Sequence, residues 1–148
     1  HLYDSGILSP MVVRWPGKVA EGTESYHVGA FWDFMPTAAD LAHTKAPPGI
    51  DGISFAPTLL GKGKQKEHDY LYWEFHEYGK IQALLIENHK ALRGLGKEVL
   101  LYDLAADPAE TNDIAAARPD LVKRVENIFD RERTPSEIWP LRYQDGSR

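Results

Sequence analysis

Residues 81–93 read Ile-Gln-Ala-Leu-Leu-Ile-Glu-Asn-His-Lys-Ala-Leu-Arg, two short apolar segments on either side of Glu87-Asn88. A two-residue link that contains Asn, which tolerates a positive φ, is typical of a β-hairpin. The sequence therefore predicts two antiparallel strands, over 81–86 and 89–93, joined at this turn.

Further strands are predicted on both sides of the hairpin. Between residues 70 and 78, Leu71, Trp73 and Phe75 alternate with residues of the opposite face, so period two places these three on the core side. Residues 99–104 are another apolar segment of strand length. Together with the hairpin, these segments predict an antiparallel sheet of about four strands.

A helix is predicted after the sheet. Pro119 suits the first helical position, because its missing N–H would have no helical partner there in any case. The apolar residues that follow recur at helical spacing: Leu121, Val122, Val125, Ile128 and Phe129. The predicted fold class is therefore α+β, a small antiparallel sheet of about four strands with a C-terminal helix.

The first 62 residues show a different pattern. Met11-Val12-Val13 is typical of a short strand that is buried on both faces, as in a parallel sheet. Apolar residues at helical spacing predict a helix over 29–42. The charged stretch 61–67, which contains two glycines, is expected to be flexible. We therefore place a domain boundary between 1–62 and 63–148.

The composition excludes several classes of protein. The 148 residues include 17 basic and 22 acidic side chains, and a net charge of −5 argues against nucleic-acid binding, which needs clustered Lys and Arg. No apolar run approaches the roughly 20 residues that span a bilayer. The lack of cysteine excludes disulfides, thiolate metal sites and a cysteine nucleophile.

Four segments carry motifs. Residues 3–18 read Tyr-Asp-Ser-Gly-Ile-Leu-Ser-Pro-Met-Val-Val-Arg-Trp-Pro-Gly-Lys, and residues 31–37 read Phe-Trp-Asp-Phe-Met-Pro-Thr. Residues 50–57 read Ile-Asp-Gly-Ile-Ser-Phe-Ala-Pro, and residues 101–111 read Leu-Tyr-Asp-Leu-Ala-Ala-Asp-Pro-Ala-Glu-Thr. In this order they resemble the C-terminal part of the sulfatase family, within the alkaline-phosphatase-like superfamily. Its counterparts are a Tyr-Glu-Gly-Gly stretch with a Trp-Pro-Gly turn, an Asp-x-x-Pro-Thr helix start, an Asp-Gly-x-Ser-x-x-Pro segment and a closing strand and turn.

The resemblance implies an origin for both halves of the chain. Residues 1–62 would be the last strand and helix of the large α/β sulfatase domain, and residues 63–148 the whole small C-terminal domain. The parent would be a sulfuric ester hydrolase that uses a formylglycine, made from Cys or Ser in a Cys/Ser-x-Pro-x-Arg motif, and a divalent cation, usually calcium. A periplasmic or secreted location fits such a parent.

None of this catalytic set is found in the chain. There is no cysteine, and none of the six serines is followed by x-Pro-x-Arg. The family's paired Asp ligands and its Asp-Asn pair are missing, and its catalytic Lys would lie a residue or two before His1. We therefore predict no catalytic residue and no metal ligand here. Calcium and formylglycine are expected in the missing part of the parent, and the chain alone is predicted to be inactive.

Tyr72, Glu74 and His76 are the candidates for substrate binding, because they share one face of the first predicted strand. In sulfatases the small domain leans over the active-site pocket, so the resemblance implies that this face contributes to a substrate rim. The alternative is a strand face that only meets solvent.

Other polar residues are interpreted as structural. Asp33 precedes a predicted helix and is a better helix cap than metal ligand. Asp107 and Glu110 lie in a turn ahead of a helix, which favours capping and dipole roles over a catalytic pair of carboxylates. His27 and His43 have no partner at ligand spacing and are predicted to be surface residues.

Three functions stay open. The chain could be the C-terminal fragment of a sulfatase that packs against the missing N-terminal catalytic domain and forms part of the substrate rim. It could also be a non-catalytic structural or carbohydrate-contacting module, or a fragment of a related phosphate or phosphonate ester hydrolase. No nucleic-acid or membrane partner is expected. A strand at 8–15 that is apolar on both faces should be covered, so a second copy of the chain is a candidate partner in isolation.

Overall fold

The chain divides into two compact units in a computed structural model that describes residues 1–76, 81–94 and 98–138. The sheet unit comprises residues 1–9 together with the residues from 70 onward, and the helical unit comprises residues 10–69. The assignment of residues 1–62 to a large domain and 63–148 to a small domain stays a prediction.

One antiparallel sheet organises the sheet unit, and its strands are neighbours in chain order. The strands are β1 (Leu71–Phe75), β2 (Ile81–Ile86), β3 (His89–Gly94) and β4 (Val99–Asp103). The predicted sheet of about four antiparallel strands, and with it the α+β class, is confirmed. The end of the predicted strand over 70–78 lies outside the described residues.

The predicted hairpin joins β2 to β3, with Ile86 opposite His89. The positive φ lies at Glu87, at 54°, and not at Asn88, where the sequence placed it. The common two-residue hairpin turns require a positive φ at their first central position, which is occupied by Glu87 here. The requirement of the turn therefore overrides the preference of the side chain.

The part of the chain that the structure describes forms four α-helices: α1 (Asp4–Ile7), α2 (Phe34–Leu41), α3 (Ala56–Leu60) and α4 (Pro119–Glu132). A 3₁₀ turn at Phe31–Asp33 precedes α2, so the helix predicted over 29–42 is confirmed with slightly shorter bounds. Pro119 opens α4 as predicted. Among the described residues, no helix has the length and apolar character needed to cross a bilayer.

α4 covers one face of the sheet. The stripe predicted for this helix is buried at Leu121, Val125, Ile128 and Phe129. It packs in one cluster against five side chains of the sheet: Leu84, Ile86, Ala91, Val99 and Leu101. Full burial of a large apolar side chain stabilises the fold by about 1.5–3 kcal/mol, so this layer is the main core of the sheet unit.

The opposite face of the sheet is covered by the first residues of the chain. Leu2 is buried against Ala83, Leu92 and Tyr102, and Trp73 packs at the edge of this cluster. Trp73 and Phe75, predicted to face the core, pack against this smaller cluster, whereas Tyr72 on the other face of β1 packs against the main core. Both faces of the sheet are buried, so the remaining side of β1 is not the fully solvated face that the sequence left as an alternative.

Lys90 fixes the first residues on this face. Its side chain is completely buried, with Nζ 2.7 Å from Asp4 Oδ1 and 5.7 Å from the centre of the Trp73 ring. The backbone N–H of Asp4 donates to Glu110 Oε2 at 2.7 Å. A buried ammonium group needs a carboxylate partner, because its loss of hydration is otherwise uncompensated. Asp4 therefore ties residues 1–9 to the sheet.

The strand predicted at residues 8–15 is wrong for this chain. These residues pair with no strand, and Val12 is 93% exposed. A parallel strand forms only where neighbouring strands bond its N–H and C=O groups, and the one sheet among the described residues is antiparallel and built from residues 71–103. The apolar composition of residues 8–15 suits a strand, but the described residues offer it no strand to pair with.

We expect Phe129→Ala to lower the free energy of unfolding by about 3–5 kcal/mol, because its ring is fully buried in the α4 core. Urea unfolding followed by circular dichroism measures the change. Phe31→Ala is the matched control, since that ring is 91% exposed, and it should change stability by less than about 0.5 kcal/mol. Equal losses in the two variants would contradict this placement of the core.

We expect Asp4→Ala to destabilise the chain more than Lys90→Met. Removing Asp4 leaves a fully buried ammonium without its carboxylate, which typically costs about 3–5 kcal/mol. Lys90→Met removes the buried charge and leaves the carboxylate of Asp4, which is partly exposed, free to bind water. Urea unfolding of both variants under one buffer condition compares them, and a larger loss for Lys90→Met would refute the argument.

Candidate functional site

A polar cluster lies near the end of β1, on the sheet face that α4 covers. Its members are Tyr72, Glu74, His76, Gln82, Arg93 and Arg133. The sheet register builds it, because Glu74 lies opposite Gln82 and Gln82 lies opposite Arg93. The three residues predicted as substrate-binding candidates are thus brought together, and three unpredicted residues join them.

Tyr72 is the partly buried residue at the base of the cluster. Its ring packs against Phe129, with the ring centres 6.1 Å apart. Its hydroxyl donates to Glu74 Oε1 and accepts from Gln82 Nε2 at 2.7 Å. Burial, reinforced by the neighbouring Glu74 carboxylate, raises the pKa of Tyr72 well above its ordinary value. Tyr72 is therefore a neutral hydrogen-bond donor that orients Glu74.

Glu74 stands between two potentially cationic groups. His76 Nε2 lies 3.4 Å from Glu74 Oε2, and Arg133 Nε lies 3.7 Å from Glu74 Oε1. The Glu74 side chain is 15% exposed, whereas His76 and Arg133 are each 31% exposed. The distance to Arg133 is too long for a hydrogen bond, and Arg133 Nε is a buried donor without an acceptor among the described residues.

Arg93 braces the cluster from the adjoining strand. Its Nε donates to Gln82 Oε1 at 3.0 Å, and its Nη2 donates to Asp130 Oδ1 at 2.8 Å. The guanidinium also lies 4.7 Å from the centre of the Phe129 ring. Arg93 therefore has partners on three sides, and its charge is largely committed within the fold.

The sequence could have revealed some of the residues that it missed. Once the turn at Glu87 is fixed, counting the hairpin register places Gln82 and Arg93 on the same face as Glu74. Arg133 gave no such signal, because it follows α4 and its position depends on how that helix lies on the sheet.

Asp33, predicted as a helix cap, caps the 3₁₀ turn that leads into α2 and does not cap α2 itself. It occupies the N-cap position of α2, but its carboxylate bonds none of the N–H groups of that helix. The fully buried carboxylate accepts from Ala30 N at 2.7 Å and from Ile53 N at 2.8 Å, and His68 Nε2 lies 2.9 Å from its Oδ1. Ala30 is the N-cap of the 3₁₀ turn at Phe31–Asp33, so the carboxylate closes the start of that turn and also holds Ile53 and His68.

Thr37, the last residue of the Asp-x-x-Pro-Thr segment that begins at Asp33, holds the neighbouring loop in place. Thr37 Oγ1 donates to Asp33 O at 2.6 Å and accepts from Phe55 N at 2.9 Å. A Cβ on Gly52 would lie only 2.2 Å from Trp32 O, so no larger residue fits there without a backbone shift. The Asp-x-x-Pro-Thr and Asp-Gly-x-Ser-x-x-Pro motifs therefore serve each other structurally in the helical unit.

The predicted capping roles of Asp107 and Glu110 at the following helix are wrong, because α4 has Arg118 at its N-cap and no side-chain cap. The Asp107 carboxylate instead accepts from the N–H groups of Asn112 at 2.7 Å and Thr111 at 2.8 Å. These bonds, led by that of Asn112, lower the pKa of Asp107. Asp107 thus closes its own turn. The N–H groups of this turn are much nearer in the chain than those of α4, so the carboxylate binds them instead of the helix end.

Glu110 bonds the first residue of α1 instead, through the N–H of Asp4. Its backbone has a φ of 53°, an uncommon value for a residue other than glycine. Burial raises the pKa of Glu110, although the Asp4 N–H and the Lys90 charge oppose the shift. Glu110 therefore serves the anchoring of residues 1–9.

Neither predicted surface histidine joins the cluster. His27 is half-buried with its ring centre 6.4 Å from that of Phe55, and His43 is exposed. Within residues 1–76, 81–94 and 98–138, no group of three His, Asp or Glu side chains could hold a metal ion. The described residues therefore do not fit the formylglycine and divalent cation that the family resemblance implies.

The sequence model of the family described as N-sulphoglucosamine sulphohydrolase, C-terminal, matches residues 1–135. The chain belongs to this sulfatase family. A Delta 4,5-hexuronate-2-O-sulfatase of Bacteroides thetaiotaomicron is 36% identical over 76% of this sulfatase chain and 25% of its own length. Arylsulfatase A of Bos taurus is 28% identical over 94% of the chain and 27% of its own length.

The fold is shared more widely than the sequence. A phosphonate monoester hydrolase from Silicibacter pomeroyi has a TM-score of 0.63 at 19% identity, covering 81% of this sulfatase chain and 28% of the hydrolase. That likeness shows the fold alone. The chain spans about a quarter of the length of the curated sulfatases that it matches, in their C-terminal part.

We expect Asp107→Asn to flatten the acid side of the stability profile. The native pKa of Asp107 lies below its ordinary value of 3.8, so its contribution to stability is present above that value and is lost as the pH falls through the native pKa. The variant should be less stable than the wild type at neutral pH, and the gap should narrow in acid. Urea midpoints between about pH 6 and pH 3 measure the gap, and a gap that widened in acid would contradict the assignment.

Proposed function

We propose that this chain is the C-terminal portion of a longer sulfuric ester hydrolase. In that protein it packs against an N-terminal catalytic domain and contributes part of the substrate rim. The match over residues 1–135, together with the span of about a quarter of the sulfatase relatives, carries this proposal. Calcium and formylglycine belong to the catalytic domain in this scheme, and the chain alone is inactive.

Exposed apolar side chains of the helical unit support the packing. Val12 is 93% exposed, Phe34 67% and Met35 55%, and Phe31 also points to solvent. Phe31, Phe34 and Met35 recur at a spacing of three and four residues, which places them on one side of the helix start, and a contiguous exposed apolar surface usually marks an interface. A catalytic domain continuous with this chain would bury them, and in its absence a second copy of the chain is the alternative occupant.

The polar cluster supports the rim assignment. Tyr72, Glu74 and His76 are held together in one hydrogen-bonded arrangement, and His76 keeps part of its side chain exposed. A preorganised group of donors and acceptors of this kind can bind a polar substrate with little loss of conformational entropy. These residues would bind and orient the substrate, and the reacting groups would come from the other domain.

Two other functions have some support. A non-catalytic carbohydrate-contacting module would use the same polar cluster without a catalytic domain. A phosphonate or phosphate ester hydrolase would use the same fold, which is shared with the phosphonate monoester hydrolase. The sulfatase family match over most of the chain favours the first proposal. A periplasmic or secreted location, which would suit that parent, stays a prediction.

The isolated 148-residue chain should show no turnover of an aryl sulfate above the no-protein rate, with calcium present, because no nucleophile of the required kind is in its sequence. Product absorbance over time measures this. The reading frame upstream of His1 should encode Cys/Ser-x-Pro-x-Arg and acidic metal ligands. Clear turnover by the chain alone, or a stop codon in place of that frame, would overturn the proposal.

A further inference from the structure

A pocket of about 340 Å³ is built entirely from residues of the helical unit. Its apolar lining comes from the end of α2, from α3 and from the turn that follows Val13: Leu41, Ala56, Pro57, Leu60 and Trp15. The Trp15 side chain is 39% exposed, so one part of its indole remains open to a ligand. Pockets of this size lie at the lower end of the range for small-molecule sites, enough for a single ring and its substituent.

The polar lining comes from three places where the chain reverses. Lys18 closes the turn at Trp15, whose carbonyl oxygen accepts from Lys18 N at 3.1 Å. His43 follows the end of α2, and Lys62 follows the end of α3. These three chain reversals bring two ammonium groups and an imidazole to one pocket, together with a single carboxylate, that of Asp40.

The basic side chains of the pocket are not committed elsewhere. Within the described residues, the side chains of Lys18, His43 and Lys62 form no hydrogen bond or ion pair. Carbonyl groups at both helix ends are already bonded, since Thr44 N donates to an oxygen of α2 at 2.9 Å and Lys62 N donates to Pro57 O at 3.1 Å. The charge of the pocket is therefore set mainly by its side chains, and their balance favours an anion.

His43 holds its place in the pocket at a cost to the fold. Its φ is 55°, in the left-handed region that usually belongs to glycine at the residue after a helix. A side chain in that conformation destabilises the backbone, and such positions cluster at ligand sites. Glycine would serve the end of α2 better, whereas only the histidine brings an imidazole to the pocket.

We propose that this pocket binds a small aromatic anion. The flat ring packs against the Trp15 indole and the apolar lining, and the anionic group, a carboxylate or a sulfate, meets Lys18 and Lys62. His43 donates a further hydrogen bond to the same group. This site is independent of the proposed function, because none of its residues belongs to the polar cluster.

The test is an NMR titration of the isotope-labelled 148-residue chain with five probes: benzoate, phenyl sulfate, benzyl alcohol, benzylamine and inorganic sulfate. The chain has four tryptophans, so the Trp15 indole N–H signal is identified by its loss in Trp15→Phe. Benzoate or phenyl sulfate should shift this signal with a Kd on the order of 1 mM, and the tighter of the two identifies the anionic group. The other three probes should bind at least about tenfold more weakly.

Two outcomes of the titration would overturn the proposal. Similar affinities for benzoate, benzyl alcohol and benzylamine would show an apolar groove that does not select an anion. The lack of any Trp15 shift with both aromatic anions would show that the pocket takes no ligand of this class.

Lysine variants locate the anionic group. Lys18→Met and Lys62→Met should each weaken benzoate binding by about threefold, and the double variant by about tenfold. Lys64→Met is the matched control, because it removes the same charge from the same segment and Lys64 does not line the pocket. It should bind like the wild type. Unchanged binding in the double variant, or an equal loss in the control, would refute the site.

His43→Gly separates binding from folding. It should raise the urea midpoint, because glycine adopts a φ of 55° without strain, and it should weaken benzoate binding by about threefold, because a hydrogen-bond donor is lost. A merely structural His43 would not give a variant that is more stable and binds more weakly. Wild-type affinity in His43→Gly would refute the role given to this residue.

Discussion

The sheet unit depends on one buried charge pair, between Lys90 and Asp4. The ammonium group of Lys90 lies on a sheet face that is otherwise apolar, and its side chain has no exposed surface. The fold can accommodate that charge only if a carboxylate is delivered to it. Asp4 does so at the start of α1, and the apolar Leu2 follows it into the same layer. The first residues of the chain thereby become the second covering layer of the sheet.

Because both faces of the sheet are covered, its edges and strand ends are where polar side chains can be exposed. With α4 on one side and α1 on the other, polar side chains reach solvent only where a layer ends. The polar cluster lies at such a place, where α4 finishes close to the end of β1. Gln82 is buried within it, whereas His76 and Arg133 each keep about a third of the side chain exposed.

The sequence predicts those parts of the fold that follow from local periodicity. The hairpin at Glu87 and the stripe of α4 are such parts, since each is specified by neighbours within a few residues. Parts that depend on distant partners were less predictable. Residues 8–15 have the composition of a strand, but a strand needs a neighbour that the pattern does not name.

The candidate site follows the same rule. Alternation along β1 was enough to group Tyr72, Glu74 and His76 on one face. It was not enough to show that Phe129 covers part of that face, or that Arg133 is brought beside Glu74, because both depend on the packing of α4. The predicted role of Asp107 was wrong for a related reason: its carboxylate accepts from loop N–H groups, which compete with a helix end.

The sheet unit combines residues 1–9 with residues from 70 onward. This separation along the chain affects the order in which its parts can fold. Asp4 bonds Lys90 across 86 residues and Glu110 across 106. At a synthesis rate of about 5–20 residues per second, residues 1–9 wait roughly 5–20 s before those partners exist. Throughout that interval Leu2 lacks the sheet residues against which it packs. The chain between Asp4 and Lys90 is also a long loop to close. Residues 1–9 are therefore synthesised well before the partners that hold them in their native places.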